Sequence, residues 1–532
     1  MRNAIKTILF ALTALLLFAS MFQKTTHLWD FKKLNGVEIP APMPDMTFQG
    51  FSNGRFQDST EAYLKQNFGF RQPLIRFYNQ YLWDFYKTSN GNKGILTLGK
   101  DGWLYEPWSV EDYYQIYYHQ HFSDADELTE QLAREAKRVY QLQHILESYG
   151  THLFVCLVPS KDLLYPEHLP ENQNTRYDDE PKMSARFFLK DEYTRLGVNV
   201  LDLGDYFQQV KDTADFTIFP ETGTHWSKYS SLFAADTLIR YMEHLGDINI
   251  RNLVIGPRTL QNAQEADTDL ENLLNLIRPL PRPQYYYASV TSDKDTTAAM
   301  PKMIVIGDSF WWNIVYQVPV QDIFSEFPYW YYNSSIYYDP TYHSVNEVNL
   351  ANELLSTDFI ILFYSSTQLY KLNNGFTKKA LLALCYDPEE IEAAYAKLEQ
   401  NIRSDSAWLE RLKKTSESRN KPLNEVIHNE AQWIIDTHPE YSFPALKDTI
   451  PTKRSRWVES YLASDSLAFI EQEVERIISN IRGNEEQMKA MRDKAQQQGK
   501  TLEKTICDDA RWVVNHKLEQ GTLQIPKQAR NK

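Results

Sequence analysis

The sequence predicts an α/β protein: a parallel sheet flanked by helices, with an N-terminal membrane anchor in front and a C-terminal all-helical region behind. Three observations predict it. Short apolar runs at residues 152–158, 198–203, 303–306 and 359–363 alternate with helical stretches at 230–242 and 345–355, as strands buried on both faces of a parallel sheet do. A nearly unbroken apolar run, residues 7–22, follows Arg2 and Lys6. From Asp387 onward the sequence is charged, periodic and poor in glycine, with no convincing strand.

The elements follow in order. The run at 7–22 reads as a membrane segment, and no small-x-small pair closes it as a cleavage site would: Ala19-Ser20-Met21 ends on a bulky residue. Arg2 and Lys6 keep the N-terminus cytoplasmic, so residues 1–23 are an uncleaved signal anchor and the main domains lie on the extracytoplasmic, periplasmic side. Residues 24–50 carry Pro40, Pro42 and Pro44 and form a linker. The main domain spans 51–380, its first part (51–122) made of loops and two short helices between Ser59 and Tyr86. Ser123 caps a longer helix through Leu128, Leu132, Val139, Leu142 and Leu146 that stops at Gly150. Residues 386–532 form the helical region. Within it Asn401-Ile402-Arg403 recurs as Asn480-Ile481-Arg482, and Ala431-x-Trp433-Ile434-Ile435 as Ala510-x-Trp512-Val513-Val514, an offset that predicts two copies of a helical hairpin. Trp433 and Trp512 are expected in the cores of these copies.

Composition narrows the function. A net charge of −14 with no concentrated basic run argues against a nucleic-acid partner. Cys156, Cys385 and Cys507 are few and far apart, so no disulfide framework is expected, and no metal cluster or phosphate-cradling glycine loop implies a cofactor. The aromatic content, 14% with 33 Tyr and 12 Trp, supplies core and surfaces on which sugar rings stack.

Two short motifs carry chemistry. In Val305-Ile306-Gly307-Asp308-Ser309-Phe310 a buried strand runs into Gly-Asp-Ser, which sets Ser309 at the carboxyl end of a strand, where open α/β sheets bind ligands. A serine there projects Oγ into a crevice while N–H groups beyond the turn stabilise an oxyanion. In Thr222-Gly223-Thr224-His225-Trp226-Ser227 a histidine stands at a loop-to-helix junction, with a pKa suited to taking the serine proton. Around them, Asn313 is a candidate oxyanion donor, Trp311 and Trp226 are candidate sugar contacts, and Lys161 is a candidate for holding a carboxylate or sugar hydroxyl.

The series Gly99-Lys100-Asp101-Gly102-Trp103-Leu104-Tyr105, Val158-Pro159-Ser160-Lys161, Thr224-His225-Trp226-Ser227 and Gly307-Asp308-Ser309-Phe310 resembles the SGNH-hydrolase-like proteins related to the alginate O-acetylation proteins AlgJ and AlgX, also described as DHHW proteins. The likeness covers about residues 51–376. It implies an SGNH-like sheet and a Ser-His-Asp site that O-acetylates a polysaccharide acceptor, with Ser309 as nucleophile, His225 as base and a membrane-bound O-acyltransferase delivering the acetyl group. The sequence departs from the pattern at one place: an Asp stands two residues before the family's histidine, and here that position is Gly223. Three outcomes follow. Asp308, Glu221 or Asp215 supplies the carboxylate, the site runs as a Ser-His dyad, or it is a degenerate scaffold that only binds glycan within a modification or export complex.

Overall fold

The computed structural model describes residues 2–36, 41–88, 96–114, 125–171, 184–419, 421–498, 502–519 and 523. Its centre is a six-stranded sheet in the order β4-β3-β10-β7-β8-β9, built from β3 (His152–Val158), β4 (Val200–Asp202), β7 (Met303–Gly307), β8 (Tyr329–Tyr331), β9 (Ser335–Tyr337) and β10 (Phe359–Ser365). All its pairings are parallel except the β8–β9 edge. Two antiparallel pairs lie outside it: β1 (Thr97–Leu98) with β2 (Leu104–Tyr105), and β5 (Leu253–Gln261) with β6 (Tyr285–Ser292).

The central strands are apolar throughout because both faces are covered. Leu153, Val155, Leu157, Ile304, Ile306, Ile360 and Leu362 point into one core, capped by helices Ala125–Glu147, Ala185–Leu196 and Phe376–Cys385. Phe154, Cys156, Val158, Met303, Val305, Ile361 and Phe363 alternate into the other, beneath Leu203–Lys211, Lys228–Gly246 and Phe310–Val315. At the end of β7, a Cβ on Gly307 would lie 2.2 Å from the carbonyl oxygen of Phe363 on β10, so no side chain fits where the chain turns toward Ser309.

Several expectations are adjusted. Residues 345–355 are a 3-10 turn, Val345–Glu347, and a separate helix, Leu350–Leu355, because Ser344 and Asn349 each cap a new start. The expected cap Ser123 lies outside the described residues. The first helix, Arg2–Thr26, includes a stretch, Lys6–Thr26, long and apolar enough to cross a membrane.

In the helical region each repeated segment is three helices rather than a hairpin. Pro388–Ser404, Ser406–Arg419 and Leu423–Thr437 enclose Ile402, Leu412, Ile427 and Ala431. Arg456–Arg482, Glu485–Gln498 and Leu502–Glu519 enclose Ile481, Ile506 and Ala510. The repeated tryptophans are outside these cores: Trp433 is 61% and Trp512 62% exposed, since the apolar stripe of each helix passes through the alanine two residues earlier. Ile435, Phe443, Leu446 and Val458 join the main-domain core, so the region is packed onto the α/β unit.

Candidate active site

The site lies at the carboxyl ends of β7, β10 and β3. Asp308 builds the turn after β7. Its carboxylate accepts from the N–H of Phe310 at 3.1 Å and of Ser365 at 2.6 Å, while the Tyr329 hydroxyl donates to its carbonyl. Burial raises its pKa against the pull of these donors. Both carboxylate oxygens are thus committed to backbone, and the turn presents Ser309 at the start of helix Phe310–Val315. Among the described residues the Ser309 N–H has no acceptor, which leaves it free to bind an oxyanion.

His225 stands three residues before helix Lys228–Gly246, which Ser227 caps. Its neighbour Trp226 is fully buried, its ring edge-on to Phe310 and Phe363, and Asn313 donates to the Trp226 carbonyl at 2.9 Å. These contacts tie the histidine segment to the helix after Ser309. The imidazole Nε2 lies 2.8 Å from Ser309 Oγ, and Nδ1 lies 2.6 Å from Asp269 Oδ2. With Nδ1–H donated to Asp269, Nε2 is left to accept the Ser309 proton, so the three side chains form a continuous relay of the Ser-His-Asp kind.

Asp269 opens the short helix Asp269–Leu273. Its Oδ1 accepts from the N–H groups of Thr224 at 2.7 Å and Leu270 at 2.8 Å, which leaves Oδ2 for the histidine. The loop before it is pinned by Asp267, which accepts from the Lys228 N–H at 3.1 Å and the Tyr287 hydroxyl at 2.5 Å.

Burial opposes the charged form of His225, but the hydrogen bond and charge of Asp269, reinforced by Glu106 and Asp308, raise its pKa above the ordinary 6.5. The pair's contribution to stability is therefore complete below about 6.5 and is lost as pH rises through the raised value. The base must be neutral to act. The acid limb of kcat/KM for ester turnover is expected to have an apparent pKa above 6.5, and Glu106→Gln, which removes a carboxyl group that is charged only as pH rises past about 7, is expected to move it to lower pH. A pH profile of both proteins checks this.

A family model, "SGNH hydrolase-like domain, acetyltransferase AlgX", matches residues 96–316, a span that contains Ser309, His225 and Asp269. The chain is related to AlgJ and AlgX through an SGNH hydrolase-like domain. It is 26% identical over 231 residues to a probable alginate O-acetylase AlgJ of Pseudomonas aeruginosa, covering 42% of this chain and 51% of that protein. It is 22% identical over 270 residues to the Azotobacter vinelandii AlgJ, covering 50% and 62%. The chain thus spans about half the length of the first of these relatives. Among solved structures, the O-acetyltransferase domain of Pseudomonas putida AlgJ aligns with a TM-score of 0.33 at 15% identity, covering 52% of this chain and 98% of that one. Pseudomonas aeruginosa AlgX aligns at 0.32 and 11%, covering 52% and 66%.

Against the AlgJ/AlgX-like pattern, the carboxylate missing at Gly223 comes from another loop. A Cβ on Gly223 would sit 3.3 Å from Asp269 Oδ1 and 3.0 Å from the Asp267 carbonyl, so the Asp269 carboxylate fills the space beside residue 223. The three acids expected for this place do other work. Asp215 forms an exposed ion pair with Arg258, Asp308 braces the nucleophile turn, and the Glu221 carboxyl, its pKa raised by burial, has Lys161 and His168 rather than His225 as its neighbouring cations.

The accessory expectations change in the same way. Lys161 is buried and holds neither carboxylate nor sugar: its ammonium donates to the carbonyls of Leu104 at 2.8 Å, Glu221 at 2.7 Å and Gly223 at 2.9 Å, against the rings of Trp103 and Tyr105. Burial lowers its pKa to about 7, although Asp269, Glu221 and Glu106 oppose this. Asn313 is buried and bound to Trp226, not set as an oxyanion donor. Trp311 and Trp226 are core residues, out of reach of a sugar.

Of Trp226, Trp311 and Trp312, Trp312 is the one that is not buried. It stacks on Tyr316 at 5.5 Å and meets the edge of Tyr337 at 4.8 Å, within an aromatic surface where Tyr316, Tyr337 and Tyr338 are exposed. One further residue escaped the sequence reading. Glu106, directly after the Gly99–Tyr105 motif, is pushed up to about 7 by burial beside Asp269 and Asp308, with His225 and a hydrogen bond to Thr224 opposing. It shares a small cavity with Ser160, Lys161, Thr224 and Phe310.

Proposed function

We propose that the chain is a membrane-anchored, extracytoplasmic O-acetyltransferase that acts on a polysaccharide through an acetyl-Ser309 intermediate. The observation that carries this reading is the continuous Ser309–His225–Asp269 relay, with contacts of 2.8 and 2.6 Å.

In the first half-reaction Ser309 Oγ bonds to the acetyl carbonyl carbon of a donor as His225 Nε2 takes the hydroxyl proton. Asp269 stabilises the imidazolium, and the Ser309 N–H stabilises the oxyanion. The bond to the donor's leaving group breaks, and His225 returns the proton to it. In the second half a sugar hydroxyl attacks the acetyl-serine, His225 takes its proton, and the proton passes to Ser309 as the sugar ester departs. Water in place of the sugar gives acetate.

The helix at Arg2–Thr26 supplies the anchor, and a membrane-bound O-acyltransferase is the natural donor partner. The relatives' description as probable alginate O-acetylases supports a polysaccharide acceptor. The alternative, a degenerate glycan-binding scaffold, has its best support in Gly223 and fits the helical tail from Asp387 as well; the Asp269 carboxylate beside His225 weighs against the first of these.

The test uses the full chain in detergent with p-nitrophenyl acetate as donor and oligosaccharides as acceptors. Mass spectrometry is expected to find O-acetylated sugar whose yield rises with acceptor concentration. Acetate alone, at every acceptor concentration, overturns the transferase assignment. With the aromatic surface beside Ser309 as an acceptor platform, Trp312→Ala is expected to raise the acceptor KM about three- to tenfold and leave kcat at saturation largely intact.

A further inference from the structure

Helix Arg71–Tyr86 carries apolar residues on its outer side. Leu74, Phe77, Tyr78, Tyr81 and Phe85 are all exposed, Phe77 at 65% and Phe85 at 71%. At the helical advance of about 100° per residue they fall within one stripe about 100° wide. The opposite side is occupied. Arg76 donates to the carbonyls of Lys33 at 2.7 Å and Leu276 at 3.3 Å, Asn79 donates to that of Leu274 at 2.8 Å, and Gln80 accepts from the N–H groups of Ile277 at 3.1 Å and Arg278 at 3.0 Å. Trp83 is buried in one cluster with Leu270 and Leu274. The helix is thus packed through its polar side and presents a continuous apolar stripe outward, which marks an interaction surface.

Contacts with the N-terminal helix fix the level at which this stripe stands. The turn before helix Arg71–Tyr86 packs on the C-terminal end of the apolar stretch Lys6–Thr26. The Gly69 N–H donates to the Ser20 hydroxyl at 3.1 Å, a Cβ on Gly69 would collide with the Ser20 carbonyl, and Lys24 donates to Asn67 at 2.6 Å. Just beyond the stretch, Trp29 and Phe31 lie against Phe70, with ring centroids 6.0 and 5.8 Å apart. A lysine and aromatic rings at the end of a span stop at the headgroup layer, and Ser20 is only about 6 Å further along the helix axis. Helix Arg71–Tyr86 therefore starts at the boundary between headgroups and acyl chains. Residues 24–87 also hold eight basic against six acidic side chains in a chain of net charge −14, so anionic headgroups do not repel this part.

The inward side of the same helix grips the segment that opens with Asp269. Leu270, next to that aspartate, shares the Trp83 cluster, and the Leu274 carbonyl takes the Asn79 donor. One helix therefore has the apolar stripe on one side and the loop of the catalytic acid on the other.

We propose that helix Arg71–Tyr86 lies in the plane of the bilayer that holds the Lys6–Thr26 stretch, with Leu74, Phe77, Tyr78, Tyr81 and Phe85 seated between headgroups and acyl chains. The Asp269 loop is then held about one helix diameter, roughly 10 Å, from the lipid surface. The proposal rests on the reading of the chain as membrane-anchored.

The test places the full chain in nanodiscs of phosphatidylcholine and phosphatidylglycerol, one chain per disc, with Cys507→Ser removing the thiol that is not buried. A fluorophore is attached in turn at Phe77→Cys, at Phe85→Cys, at Phe18→Cys in the span and at Trp433→Cys on the helical region, with parental circular dichroism showing that each variant folds. At Phe77 and Phe85, lipid carrying a doxyl group near its headgroup is expected to quench at least about threefold more than at Trp433, and aqueous iodide at least about threefold less. Phe18 is expected to be quenched best by a doxyl group near the end of the acyl chain. Labels at Phe77 and Phe85 that iodide reaches as it reaches Trp433, and that doxyl lipid does not quench, overturn the proposal and leave the stripe to a protein partner. Protection that appears only in discs holding two chains overturns it in favour of a second copy. A Phe18 label that no doxyl lipid quenches overturns the anchor reading on which the proposal stands, so the two failures are distinguishable.

Discussion

Asp269→Ala is expected to lower kcat/KM for acetyl-ester turnover by about 10⁴, the loss seen when the equivalent acid of a serine-protease triad is disabled. The reason is local. Asp269 Oδ2 is the group on Nδ1, and without it the ring loses both its tautomer and the charge that stabilises the imidazolium. The same change removes the influence that most raises the His225 pKa, so the acid limb is expected to move down in pH while the rate falls.

Gly223 makes the prediction sharper. The space beside residue 223 is filled by the Asp269 carboxylate, so Gly223→Asp in the Asp269→Ala background is expected to recover at least about tenfold of the lost rate, with the acid limb returning toward that of the parent. In the parent background Gly223→Asp is expected to be harmful, because the new side chain meets the Asp267 carbonyl at 3.0 Å and sets a second carboxylate against Asp269. Opposite signs in the two backgrounds distinguish a shared position from general damage, and steady-state kinetics of the four proteins reads them directly.

Lys161→Met is expected to carry the largest stability loss, about 3–5 kcal/mol in urea unfolding, since three buried carbonyls lose their donor at once. Those carbonyls, of Leu104, Glu221 and Gly223, lie on two segments that this ammonium joins, together with the Leu104 N–H to Glu221 bond. Turnover should fall in the folded fraction too, because the loop from Glu221 leads directly to His225. Arginine is not expected to rescue: its planar fork does not reproduce three donors converging on one ammonium.

How far the sequence carried the reading depended on the range over which each pattern acts. Apolar runs such as β3, β7 and β10 are local, and strands buried on both faces carry no competing signal, so the parallel core was legible. Ser309 and His225 were legible because each closes a short motif in strand or helix context. Asp269 was not. In Ala266-Asp267-Thr268-Asp269-Leu270-Glu271 an aspartate before an apolar residue reads as ordinary helix-start chemistry, and nothing local says that its second oxygen reaches a histidine 44 residues away.

Asn313 and Lys161 failed differently: sequence placed them near the site but could not say which way they point, and both turn toward backbone carbonyls. The antiparallel pair β5–β6 was missed because much of β5 is exposed and polar, leaving little apolar signal. The repeat offset was readable, but it could not distinguish a hairpin from three helices.

The most direct test of the central claim is covalent trapping. The full chain is treated with a sulfonyl fluoride, and the modified residue is located by peptide mass spectrometry in the parent, Ser309→Ala and His225→Ala proteins. A single sulfonyl adduct on Ser309, formed together with loss of ester turnover, absent in Ser309→Ala and strongly slowed in His225→Ala, is the predicted result. An adduct on another residue, or a Ser309→Ala protein that turns over acetyl ester as fast as the parent, would contradict it.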